Sequence, residues 1–376
     1  MSWATRLQCQ QLRLKWLSTR PRALTLADPP KLRAHAFSTN SKNIEYLFGA
    51  SVVIPAMEYG ARKIKMLIVK EDERFGGLKI RANGEAILAG KASSKVHLSG
   101  IEQENRGIMD FAVALANQRE IQVKEVPSGH LDRLTGGRPH QGLVLACLPP
   151  SVTHLNSLGI CDLDESDPNH GKGIYSVDAA GDGIVQLQTL GDRTYPFWLA
   201  LDQIVDPQNL GAILRSAHYF GVDGVVATER DSAPFSPASS KASSGAMEAM
   251  SLYSTTNLGR LLQESAMNGW QILGTNINAR KSDIVPLCHF KQLCHDETSW
   301  SINDPDRGPP PLWIDRAPTV LVLGNEGRGM RTSASKQCHH HLIITQNQST
   351  TKTSKSRVDS LNVGVAAGII LHELLS

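Results

Sequence analysis

Beyond residue 196 the chain alternates short, unbroken apolar runs with segments whose apolar residues recur every three or four positions. Phe197–Leu201, Gly224–Ala227, Gln271–Thr275, Thr319–Leu323 and Leu342–Thr345 read as strands. After the helix-start pair Asp206-Pro207, residues Leu210, Ile213, Leu214 and Ala217 share one helical face. Leu258–Met267 and Val363–Leu375 read as further amphipathic helices. This βα alternation predicts a mostly parallel sheet covered by helices, with ligands bound at the carboxyl ends of the strands. Residues 43–149 carry a second, smaller α/β pattern. It has a helical stretch from Asn43 to Gly60 broken at Pro55, strands at Ile64–Val69, Ile121–Val126 and Gly142–Cys147, and a helix at Met109–Gln118. The polar, Gly/Asp-rich segment 150–195 between the two patterns reads as a linker or insertion. Two further inserts, proline-rich 304–318 and Ser/Thr/Lys-rich 346–357, read as loops.

Composition narrows the class. Of 376 residues, 41% are hydrophobic and 20% charged, which suits a globular protein and excludes bulk disorder. No apolar run approaches the roughly 18 residues that a membrane-spanning helix needs. Six scattered cysteines do not make a secreted disulfide framework. Cys288-His289, Cys294-His295, Cys338 and His339-His340-His341 match no standard zinc spacing, so no metal is expected. A dinucleotide site is excluded because no GxGxxG follows a first strand. Charge is uneven: residues 1–40 hold seven basic residues and one acid, Asp28, which leaves 32 basic and 35 acidic residues for the rest. An acid-poor, Arg-rich stretch dotted with leucines and ending in Arg33-Ala-His-Ala-Phe-Ser-Thr39 predicts a mitochondrial import segment, the alternative being a basic tail that touches RNA. The body has no general basic excess, so any RNA contact must use local patches. Candidates are Arg62, Lys63 and Lys65, with Lys70 nearby, and Arg328, Arg331 and Lys336.

Three segments concentrate polar groups at the expected strand ends. Leu201 to Gly221 places Asn209 at a helix entry, with Arg215 facing away from the apolar stripe; such an entry suits phosphate and ribose oxygens. In Val320 to Met330 a strand runs into Gly324, Gly327 and Gly329, where a backbone can wrap closely around a ligand, with Glu326 inside the turn. In Asp359 to Leu375, Ser360 and Asn362 stand where a polar loop enters an apolar helix, able to cap it or to point into a site. Gly364 and Gly368 permit close helix packing. Taken singly, each has an ordinary reading as a cap, a solvated charge or a Gly-rich turn.

In this order and spacing the three segments resemble the signature motifs of the SpoU (TrmH) branch of the SPOUT RNA methyltransferases, over about residues 197–376. Residues 43–149, ending in Arg138-Pro-His-Gln-Gly-Leu-Val144, resemble the small L30e-like RNA-binding domain that such enzymes carry in front. The resemblance implies an α/β domain with a deep trefoil knot, a rare exception to the rule against threading. It implies S-adenosylmethionine as cofactor, held around Leu323, Gly324, Gly329, Ile344 and Leu361. It further implies a homodimer, and a catalytic set of Asn209, Arg215, Glu326, Ser360 and Asn362. The expected substrate is a ribose 2′-hydroxyl, that of a guanosine in mitochondrial large-subunit rRNA or of its ribosomal precursor, and the expected location is the matrix. Two departures touch loop geometry. Ile344-Thr345 replaces the usual Ile-Pro, removing a φ restraint, and the following connection is lengthened with Lys352, Lys355 and Arg357.

The family proposal makes the arginine the general base. A free guanidinium has a pKa above about 12, so Arg215 equally fits stabilisation of a developing alkoxide or a grip on phosphate, with Glu326 or water taking the proton. Alternative functions are methylation of a tRNA ribose and a catalytically idle RNA-binding assembly factor.

Overall fold

The computed structural model describes residues 43–71, 78–80, 86–88, 100–163, 172–181, 183–276, 283–289, 316–345 and 360–376. The import segment expected in 1–40, nearly all of the proline-rich loop and the whole 346–357 loop lie outside the described residues.

The first domain is a three-layer α/β unit. Its strands are Glu45–Phe48 (β1), Ile64–Lys70 (β2), a small hairpin of Leu78–Ile80 (β3) and Ala86–Leu88 (β4), Val123–Val126 (β5) and Leu143–Cys147 (β6). The main sheet runs β1-β6-β2-β5, with only the β2–β5 pair parallel. Helices Ala50–Tyr59 (α1) and Gly100–Gln118 (α2) bury Val52, Val53, Met57, Met109 and Ala112 against Leu67, Val69, Leu143 and Leu145 on one face. Helix Ser128–Thr135 (α3) covers the other face, where Leu131 meets Phe48, Ile68 and Val144. The sequence reading of a helix broken at Pro55 is corrected twice. The stretch opens with strand β1, and α1 continues through Pro55. Proline cannot donate to the Ser51 carbonyl one turn back. Gly245 of the second domain lies so close to that oxygen that a Cβ on it would overlap it.

The second domain is built on one long sheet. Its strands are Thr153–Leu163 (β7), Gly173–Ala179 (β8), Gly183–Gln188 (β9), Phe197–Asp202 (β10), Gly224–Thr228 (β11), Leu252–Thr255 (β12), Gln271–Gly274 (β13), Ile284–Pro286 (β14), Thr319–Gly324 (β15) and His340–Ile343 (β16). They lie in the order β14-β16-β13-β15-β10-β11-β12-β7-β8-β9, parallel from β14 to β7 and antiparallel in the last two pairs. Segment 150–195 is therefore not a plain linker: it supplies three strands that extend the sheet. Tyr175, Val177 and Ala179 alternate inward from β8 into the core, and the Tyr175 hydroxyl accepts from Trp198 Nε1 at 3.2 Å.

Strand β10 is buried on both faces, as a central parallel strand must be. Phe197, Leu199 and Leu201 point to one side, toward helices Pro207–Tyr219 (α4) and Val363–Leu375 (α8). Trp198 and Ala200 point to the other, toward Leu258–Met267 (α6) and Trp270. The remaining helices are short: Pro237–Ala242 (α5), a 3₁₀ turn at Ala246–Ala249 and Thr332–Ser335 (α7). Among the described residues no helix is long and apolar enough to cross a membrane.

Strand β16 begins two residues before the expected Leu342 because His340 and His341 are buried and take strand positions. His339 fastens the edge of β13: its Nδ1 accepts the Ile272 amide at 2.9 Å, and its own amide donates to the Ile272 carbonyl. Burial, with the neighbouring His340, pushes the His339 imidazole down to about 4. Its neutral form is thus the folded form, and the stability it contributes is complete above the unfolded value near 6.5 and lost as pH falls toward 4. Stability should therefore decline over that window, and His339→Gln, which keeps an acceptor without titrating there, should flatten the decline in denaturant melts at stepped pH.

Helix α4 is pressed between two neighbours. A Cβ on Gly211 would overlap Ala242 and stand 2.8 Å from the backbone of Ala242 and Ser243. On the opposite neighbour, a Cβ on Gly364 would come within 2.9 Å of Ala212, and one on Gly368 within 3.4 Å of Ser216. Gly107, in α2, has nothing within 4 Å. The same substitution should then have opposite signs. Gly211→Ala should destabilise by about 1–3 kcal/mol, and Gly107→Ala should stabilise by roughly 0.5–1 kcal/mol, both read as shifts of the urea midpoint.

Candidate active site

The carboxyl ends of β10, β15 and β16 face the amino ends of α4 and α8, and the three polar motifs meet there. Helix α4 starts with Asp206, whose side chain accepts the Gln208 amide at 2.8 Å, followed by Pro207 at the position where a missing N–H costs nothing. Asn209 follows within the first turn. Helix α8 starts with Asn362, whose Oδ1 accepts the amides of Gly364 and Val365 at 2.9 and 3.3 Å.

That cap determines which way Asn362 faces. With Oδ1 committed to helix amides, its Nδ2 must point outward, and it donates to Asn209 Oδ1 at 2.8 Å. Asn209 in turn presents Nδ2, which donates to Glu326 Oε1 at 2.5 Å. The result is a directional relay from helix cap to amide to carboxylate, across residues 153 and 117 positions apart. Glu326 is held as an acceptor at Oε1, leaving Oε2 for another partner.

The loop carrying Glu326 is shaped from within and anchored from below. Gly324 ends β15 so tightly against the returning chain that a Cβ would stand 2.5 Å from the Met330 nitrogen. Asn325 and Gly329 exchange backbone hydrogen bonds, and Asn325 Oδ1 accepts the amides of Gly327 and Arg328. Asn325 Nδ2 donates to the Gln203 carbonyl at 2.8 Å. Asp202, fully buried at the end of β10, accepts the Arg331 amide at 2.8 Å and its guanidinium at 2.6–2.7 Å. Asp202, the last residue of β10, and Gln203, which follows it, thereby hold both ends of the loop.

Several sequence expectations change. Arg331 is the counter-ion of Asp202, with its side chain 36% exposed. Arg62 is buried and bonds Glu248 at 2.8 Å and Glu45 at 2.5 Å, which removes it from any surface patch. Lys63, Lys65 and Arg328 are exposed. Arg215 stands apart from the relay: six residues beyond Asn209, it lies about 9 Å farther along the helix axis, and its Nη1 donates to Ser244 Oγ at 3.1 Å. Ser360 is exposed just ahead of the cap. Of the expected cofactor contacts, Leu323 and Gly324 are buried, Ile344 packs on the core edge, and Leu361 is half exposed. Gly329, at φ +69°, has open space where a Cβ would stand.

Residues missed from sequence are Asp202, Gln203, Asn325 and Ser244. Asp202 had a signal, a lone acid closing an otherwise apolar strand. Ser244 had only the Ser-rich run from Ser236 to Gly245.

Residues 196–372 match the model of the SpoU rRNA Methylase family, and residues 101–153 match that of RNA 2′-O ribose methyltransferase substrate binding. Three relatives bear the name rRNA methyltransferase 1, mitochondrial. The protein from Schizosaccharomyces pombe is 31% identical over 69% of this chain and 76% of its own length. That from Homo sapiens is 28% identical over 89% and 74%. That from Dictyostelium discoideum is 33% identical over 68% of this chain but only 42% of its own length. Among solved structures, an AdoMet-bound rRNA methyltransferase from Sinorhizobium meliloti superposes with TM-score 0.53 at 18% identity, covering 88% of this chain and 87% of that one. The SpoU methyltransferase AviRb from Streptomyces viridochromogenes, in complex with AdoMet, gives 0.50 at 16%, covering 90% and 93%. A mostly parallel sheet covered by helices, with polar groups at its strand ends, is the SpoU type of methyltransferase fold, and this chain belongs to the SpoU rRNA Methylase family.

The relay yields a test on the folded protein alone. Asn362→Ala should lose about 1 kcal/mol as a lost helix cap. Asn362→Asp keeps an acceptor for the helix amides and should retain most of that stability in denaturant melts, while removing the donor to Asn209.

Proposed function

We propose that this protein methylates a ribose 2′-hydroxyl, that of a guanosine in mitochondrial large-subunit rRNA, with S-adenosylmethionine as donor. The observation that carries the reading is the Asn362–Asn209–Glu326 relay, which joins all three motifs in one hydrogen-bonded chain. Family membership and the names of the relatives support the substrate and the mitochondrial location, here taken as the matrix. The donor would be held by the backbone around Leu323, Gly324 and Gly329, with Ile344 and Leu361 as apolar contacts. It supplies an electrophilic methyl group. The trefoil knot and the L30e-like character of the first domain belong to the same reading.

The chain's own residues must position the ribose and manage one proton. Glu326, aimed by Asn209 and free at Oε2, takes the 2′-hydroxyl proton. Arg215 stabilises the oxygen as it gains negative charge. Arg328, exposed beside Glu326 on the same loop, and Lys63 and Lys65 on the first domain supply phosphate contacts that position the RNA. Val365 and Ile369, one turn apart on α8, are exposed apolar residues, 52% and 39% accessible, which suits a homodimer contact close to the site.

Mapping 2′-O-methyl groups in mitochondrial RNA with and without the protein should show loss of one guanosine modification in large-subunit rRNA; an unchanged map would end the reading. In vitro, Arg215→Ala should slow transfer roughly a hundredfold without moving the acid limb of the pH–rate profile. Glu326→Gln should abolish that limb, because rate rises with pH only while a base is being deprotonated. A limb that persists in Glu326→Gln and shifts in Arg215→Lys would return the base role to the arginine.

A further inference from the structure

Arg215 rests on a turn that the first domain holds in place. Its partner Ser244 has φ +54°, a sparsely populated conformation for a residue with a Cβ, and is followed by Gly245 at φ +85°. Such a backbone persists only when its surroundings determine it. Part of that determination is local: Ser244 and Gly245 donate their amides to the Lys241 and Ser240 carbonyls, and Ser243 Oγ bridges the Ser240 carbonyl and the Met247 amide.

The rest comes from the first domain. Glu248, 1% exposed, accepts Ser240 Oγ at 2.6 Å and Arg62 Nε at 2.8 Å. Arg62 reaches it from 186 residues away, and its side chain is wholly buried. Gly245 packs directly onto the Ser51 carbonyl, which Pro55 has left without its helical donor. The two domains therefore grip the Ser236–Glu248 segment at a buried ion pair and at a backbone contact, and the turn between them carries the hydroxyl that receives Arg215. The backbone contact between Gly211 and Ala242/Ser243 keeps helix α4 at the distance this bond requires.

We infer that Ser244 is a positioning residue for Arg215 and that Arg62 and Glu248 transmit the docking of the RNA-binding domain to that arginine. The inference rests on the functional reading above. It ties substrate binding to chemistry: a shift of the first domain against the second moves the turn, and with it the guanidinium.

The test measures kcat, KM for RNA, donor affinity by titration calorimetry and melting temperature on the full chain. Ser244→Gly removes the hydroxyl while relieving the positive φ. It should keep the melting temperature and bind donor within about twofold, yet lose roughly tenfold in kcat. Ser244→Asn, which tolerates the left-handed region and offers an acceptor, should recover most of that rate. Glu248→Gln keeps the shape of the ion pair and should lower kcat several-fold with KM for RNA little changed. Equal kcat for Ser244→Gly and the unaltered chain overturns the inference, as does a fall that Ser244→Asn does not repair. A Glu248→Gln effect confined to KM or to melting overturns the role of Arg62 and Glu248. Absence of methyl transfer by the unaltered, folded chain overturns the functional reading together with this one.

Discussion

The orientation of one amide governs the site. Helix α8 leaves its first amides without intrahelical partners, and Asn362 answers them with Oδ1. A flipped Asn362 would set a donor against donors at the cap, so its Nδ2 is directed at Asn209, and Asn209 has one satisfied orientation in consequence. Glu326 inherits its aim from a helix terminus two links away. A requirement of secondary structure thereby becomes a requirement on the Glu326 carboxylate.

Close approach of helix α4 supports the same arrangement. Gly211 admits the Ala242–Ser243 backbone on one neighbour, while Gly364 and Gly368 admit Ala212 and Ser216 on the other. With α4 and α8 at that separation, Asn209 and Asn362 can meet through short amide side chains. A side chain at Gly364 would press directly on Ala212 and push α8 away from α4, across which the relay bonds. The first domain enters through the same region, since the segment against Gly211 is the one that Arg62 and Ser51 hold.

What the sequence made legible was local. Helices with a matching cap and apolar stripe, such as Leu258–Met267 after Asn257 and Val363–Leu375 after Asn362, are found at their expected limits. The buried strands β10 and β15 follow from unbroken apolar runs. Failures arise where a distant partner changes a residue's meaning. Arg62 and Arg331 look like free surface cations, but Arg62 is buried against Glu248, 186 positions away, and Arg331 is tied to Asp202, 129 positions away. His340 and His341 read as polar but sit as buried residues in β16. Pro55 reads as a helix break, although a glycine from the other domain accommodates the freed carbonyl. The 150–195 segment hides the inward alternation of Tyr175, Val177 and Ala179 among glycines and aspartates. In the site, the motif residues were visible by type, whereas their supports Asp202, Asn325 and Ser244 matter only through geometry.

The clamp of Asp202 and Gln203 on the Gly324–Arg331 loop has a kinetic implication. Opening that rim would strand a carboxylate away from both water and its cation, so the rim cannot swing aside as a flexible lid does. Most of its disorder is surrendered during folding rather than at encounter. Visiting molecules meet, along this rim, a surface already in its final shape.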